Sequence, residues 1–262
     1  MQSTKTVSVS TNWPPDRRER RFFLSMLVAV WLAILSGFAY NNMQKFVAGR
    51  LTYPWIVHIH ALVFTGWLVF FTAQLVLVHR GQVSAHRRLG MFGAGLAALM
   101  VVLGVMTAIS TEQYKFGTPA SDPPFLSVMF SDMLVFGGLV TAALLVRRSP
   151  AAHKRLMLIA TLVLTDAGFG RWLSPKIVEW TGQKNYWELK SFAEGAWPFI
   201  RFQLLPAYTL IAALGVFDLF TRKRLHPMYV RAVACCLPIH LVAGWLYFQP
   251  FWRAIALQIV GR

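Results

Sequence analysis

Two histidines stand inside an otherwise apolar run, PWIVHIHALVFTGW, from Pro54 to Trp67. An ionisable side chain costs little at a surface and much in hydrocarbon, so His58 and His60 call for something to hold. Five more histidines follow: His79, His86, His153, His226 and His240. Asp132 and Asp166 also fall inside apolar stretches. Imidazole and carboxylate are the ligands of haem iron and of non-haem metals, and they are also the side chains that pass protons. Three chemistries are therefore open: haem ligation, a mixed imidazole–carboxylate metal site, or proton movement.

Helix phase limits how these groups combine. Residues two apart on a helix lie about 200° apart, so His58 and His60 do not bind one metal from an intact helix. His58, Thr65, Thr72 and His79 repeat by sevens and form one polar stripe. His60, Trp67 and Gln74 form the opposite one, with bulkier groups. The first stripe is the expected bundle-facing one, with His58 its favoured ligand. His58, His60, His240, Asp132 and Asp166 share one depth near the outer side. His79, His86, His153 and His226 share the other, at the basic helix ends.

The elements that must position these residues are long apolar runs. The chain of 262 residues is 56% hydrophobic, with ten Trp and twenty Phe against only ten acidic residues. Its mean hydropathy is +0.50. A soluble domain needs a more polar surface, and several runs reach the ~20 residues that cross a bilayer. Seven spans are expected, at about 22–42, 54–78, 89–110, 125–146, 155–173, 199–219 and 228–248. The fold class is all-α, one transmembrane bundle over 22–248. The runs do not alternate as the strands of a β-barrel do. Residues 1–21 read as a cytoplasmic segment, with no signal-peptide pattern, and 249–262 as a short tail.

The basic residues orient the bundle. Sixteen of the 26 cluster at Lys5–Arg21, Arg80–Arg88, Arg147–Arg155 and Arg222–Arg231. All of these fall on one side if the N-terminus is cytoplasmic and the C-terminus outside. The formal charge of +16 thus marks helix ends, and a nucleic-acid partner is not expected. Segment 174–198, with Trp180, Tyr186, Trp187 and Trp197, reads either as an amphipathic piece or lid at the outer interface or as an aromatic-anchored loop. The adjacent Cys235 and Cys236 read as buried free thiols.

Two helix starts echo each other: HRRLGMFGAG from His86 and HKRLMLIATL from His153. Both enter the membrane from the same side, so the two imidazoles share a depth. Gly90, Gly93 and Gly95 follow His86 and leave room for a flat ligand or a close helix. His86 facing His153, with His79 as substitute, makes an inner haem pair. His58 facing His240 makes an outer one.

Histidines at both levels and basic helix ends resemble, in outline, the cytochrome b561 family. The resemblance covers spans two to five. It implies a helical bundle whose four histidines hold two b haems and carry electrons across the membrane. His86 and His153, on spans three and five, match that pattern by position. The sequence departs from it at His240, which lies on span seven, in the absence of a histidine from span four, and in having more spans than the family core. The two helix starts are also similar to those of poorly characterised bacterial integral membrane families.

The leading expectation is therefore a redox protein of a bacterial inner membrane, with haem b as cofactor. Its expected partners are the bilayer and a quinone, another electron donor or a lipophilic substrate. The alternative is a membrane enzyme holding iron or another transition metal through His58, His240, Asp132 and Asp166 and acting on a lipophilic substrate. No HExxH or histidine-box motif supports it. Transport through the aspartates, and an assembly subunit without chemistry, complete the set.

Overall fold

The computed structural model describes residues 17–49, 52–182, 192–200 and 204–261. Among these residues, ten α-helices follow in chain order: α1 (Arg17–Val47), α2 (Trp55–His79), α3 (Val83–Lys115), α4 (Leu126–Leu145), α5 (Pro150–Val163), α6 (Asp166–Thr181), α7 (Phe192–Phe199), α8 (Leu205–Arg222), α9 (Pro227–Tyr247) and α10 (Pro250–Ile259). A short 3-10 turn, Pro123–Phe125, leads into α4. Among the described residues the fold is all-α. Seven stretches are long and apolar enough to cross a membrane, counting Pro123–Leu145 and Pro150–Leu173 as one each. The architecture is that of a polytopic membrane bundle, with large apolar side chains such as Leu32, Phe46, Leu62 and Phe92 on its outside.

The fifth expected span is two helices. Leu164 and Thr165 interrupt it, and the Thr165 hydroxyl donates back to the Leu162 carbonyl at 2.6 Å. Asp166 therefore opens α6 instead of sitting mid-helix. α6 packs mainly on α1, where Gly37 meets Gly168. A Cβ at Gly168 would run into the Ala33 carbonyl, so the two backbones touch only because neither residue has a side chain.

The core is centred on α2, α4 and α5. Trp67 is wholly buried, edge-on to Phe136 of α4 at 5.1 Å, and its indole N–H donates to Thr161 of α5 at 3.4 Å. This fixes the phase of α2, and it is the reverse of the expected one. The inward stripe is His60–Trp67–Gln74, while His58, Thr65 and His79 are exposed. Thr72 is half-buried and accepts from Trp31 of α1 at 3.0 Å. With lipid on the outside, packing and interhelical hydrogen bonds decide the phase, and Trp67 supplies both through Phe136 and Thr161.

At the end of the bundle that carries the start of α1 and the α2–α3, α4–α5 and α8–α9 turns, three helices are tied by charge. Arg155 of α5 is fully buried. It donates to both Asp218 oxygens of α8, at 2.9 and 2.5 Å, and to Glu19 of α1 at 3.3 Å. Lys154 reaches the second Glu19 oxygen at 2.7 Å. This is called the basic end below.

Two sequence expectations change. The tail is the helix α10, whose Trp252 donates to the Pro124 carbonyl at 2.9 Å. Cys235 is exposed and only Cys236 is buried; both are free thiols. Of segment 174–198, α6 continues to Thr181 and α7 starts at Phe192, with Trp180 exposed. Tyr186 and Trp187 lie outside the described residues, so the lid does as well.

Candidate functional site

At the basic end, α3 and α5 bring two histidines together. The His86 and His153 ring centres stand 6.3 Å apart with planes at 81°. His153 lies in the first turn of α5, behind Pro150, which suits a helix start. Its Nδ1 donates to the Ala143 carbonyl of α4 at 2.8 Å, which leaves Nε2 with a lone pair. His86 lies in the first turn of α3 and meets Gln74 of α2. The Gln74 nitrogen faces the His86 carbonyl at 3.2 Å and His86 Nδ1 at 2.5 Å, and its oxygen accepts from the Gly90 N–H at 3.0 Å. The reverse orientation of the amide would set like against like. Four helices thus converge on this pair. Both rings are half-buried, beside exposed Arg87, Arg88, Arg147 and Arg148.

The other histidines of the basic end do not join them. His79 is exposed at the end of α2. His226 is fully buried but caps α9, its Nδ1 accepting from the Met228 N–H at 3.2 Å.

The opposite half of the bundle holds a second polar group. Asp166, at the α5–α6 break, lies within side-chain reach of Asp132 of α4. His240 of α9 sets Nε2 3.3 Å from Asp132 Oδ1, at ion-pair distance but outside hydrogen-bond alignment. Its Nδ1 lies 2.9 Å from the Tyr208 hydroxyl of α8. A cavity of about 10 Å³, room for about one water, lies beside Asp166, Tyr208 and His240. Arg171 lies within electrostatic reach of both Asp166 and His60, its guanidinium 4.3 Å above the Phe38 ring.

The expected outer pair is not assembled. His58 is exposed and its ring contact is Tyr53, at 6.5 Å, while His240 is buried against Tyr208 and Asp132. The inward histidine is His60, stacked on Phe64 at 3.9 Å. Of the four expected metal ligands, Asp132, Asp166 and His240 come together without His58. Among the described residues, no group of three or more His, Cys, Asp or Glu side chains is arranged to hold a metal ion.

Sequence reasoning passed over Gln74 as a ligand partner and Tyr208 altogether. Tyr208 had one usable signal: a phenol inside a span must find a partner for its hydroxyl, and His240 on the next span was available.

No protein family matches the chain, and neither a curated protein nor a solved structure matches it. The functional reading therefore rests on the two polar sites.

Proposed function

We propose that this is a membrane redox protein that holds one b-type haem between His86 and His153. The observation that carries the reading is the spacing of the two rings, 6.3 Å between centres. Two imidazoles joined through one metal, with metal–nitrogen bonds of ~2.0 Å, stand on the order of 6 Å apart. The donor set also fits. Ligating histidines use their second ring nitrogen on a carbonyl or amide, which fixes the ring. His153 already does so through Ala143. In the orientation described, the Gln74 amide donates to His86 Nδ1, so ligation through Nε2 would use the other His86 tautomer. The surrounding arginines suit the acidic edge groups of a haem.

When bound, the haem supplies one-electron chemistry. The chain's own contribution is to fix two ring planes from α3 and α5, to wall the pair with α2 and α4, and to set positive charge beside it. The reading narrows the two-haem expectation to one, because His58 and His240 are not brought together. The basic end faces the cytoplasm in this account, by the positive-inside rule, in a bacterial inner membrane.

Haem content tests it. Protein purified from haem-replete cells carries about one haem b per chain, and His153→Ala and His86→Ala each carry almost none. An iron-free wild type, or variants that keep their haem, would sink the reading.

A further inference from the structure

The second polar site holds a carboxyl for which the fold supplies no cation. Asp132 lies about two turns into α4, inside the membrane span Pro123–Leu145. Its side chain is only 16% exposed. Among the described residues its polar neighbours are Asp166 and His240, and no arginine or lysine pairs with it. Arg171 lies within electrostatic reach of Asp166 and of His60 on α2. Tyr208 of α8 and Cys236 of α9 are the other titratable groups close by, among the described residues. An ionised carboxylate in hydrocarbon is costly unless a positive charge faces it, and a second carboxyl beside it adds repulsion. A carboxylic acid avoids both costs.

His240 makes that proton movable. It is 3% exposed, and its Nε2 is buried with no hydrogen-bond partner, 3.3 Å from Asp132 Oδ1. Buried ring nitrogens are normally satisfied, so this one marks a place where a proton arrives and leaves. With the ring proton on Nδ1, donated to the Tyr208 oxygen at 2.9 Å, Nε2 carries a free lone pair. The Asp132 O–H bond can then break as an Nε2–H bond forms. That leaves an aspartate and an imidazolium at ion-pair distance, and the reverse step restores two neutral groups. The cavity beside His240, with Asp166 and Tyr208 in its wall and room for about one water, puts an exchange partner next to the imidazole. Lipid around the span offers none.

We propose that Asp132 is a proton-binding site inside the membrane, held as the acid and exchanging its proton through His240. The site lies in the half of the bundle away from His86 and His153 and does not rest on the haem.

Infrared spectroscopy of the full-length protein in phosphatidylcholine nanodiscs tests it. The starting protein is Asp122→Asn, which removes a loop carboxyl that burial pushes up to about 6. At neutral pH it shows a carboxylic-acid C=O band that shifts in heavy water, and the band is absent once Asp132→Asn is added. His240→Phe keeps the band and slows its shift in heavy water about a hundredfold, because the base that takes the proton is gone. Loosened packing would speed that exchange instead. No acid band in the starting protein overturns the proposal, and so does a band that survives Asp132→Asn. A rate in His240→Phe that is unchanged or faster does so too. Repeating the comparison in His153→Ala separates this result from the fate of the haem reading.

Discussion

Asp122 shows how a single group makes this protein sensitive to pH. It stands in the loop between α3 and α4, accepts from Tyr247 of α9 at 3.0 Å, and lends its backbone N–H to Glu112 at 2.9 Å. Burial raises its carboxyl from 3.8 to about 6, helped by Glu112 and opposed by Tyr247, Lys115 and Arg253. The folded state thus binds a proton that the unfolded state has already released. The contribution of Asp122 to stability is fullest below about 4 and is lost as pH rises towards about 6. Asp122→Asn flattens that slope, as unfolding in detergent at stepped pH would record. Arg155 gives the opposite kind of residue effect, since it is buried and fully paired. Asp218→Ala removes one of the two acidic partners of the guanidinium, leaving Glu19 and the Ala151 carbonyl, and unfolding measurements at constant pH should find about 3 kcal/mol of stability lost. Arg155→Met together with Asp218→Leu recovers much of that, because a buried pair exchanged for apolar packing is near neutral.

Among the elements, the spans were legible because about twenty apolar residues in a row have few other uses. The break between α5 and α6 was not, although Asp166, Gly168 and Gly170 marked that span as unusual. It answers to tertiary contacts: Thr165 folds back on Leu162, and Gly168 seats on α1. Gly168→Leu should therefore push α1 and α6 apart and lower stability by about 1–3 kcal/mol, in a thermal unfolding series that includes Gly138→Leu as a control. Gly138 has open space where a Cβ would go. The face of α2 was misread for a related reason. Spacing by sevens identified two stripes correctly, but polarity was taken as the inward signal. In a bundle surrounded by lipid, the bulk and fit of Trp67 decided the matter. Once α2 had turned, His60 and Gln74 faced inward and His58 faced out.

Over the whole molecule, the two polar sites occupy opposite halves of one bundle. His86 and His153 are tied to the basic end by the shared helix starts of α3 and α5, and that echo was readable from HRRLG and HKRLM. The chain from Asp166 to Tyr208 draws on four elements with no common motif, so only the fold could collect it. The central claim concerns the first site, and the reduced-minus-oxidised absorption spectrum of the purified full-length protein tests it most directly. The account predicts a Soret band with sharp reduced α and β bands. They are lost in His86→Ala and in His153→Ala, and kept in His58→Ala and His240→Ala. A colourless wild type, or bands that survive the loss of either His86 or His153, would contradict it.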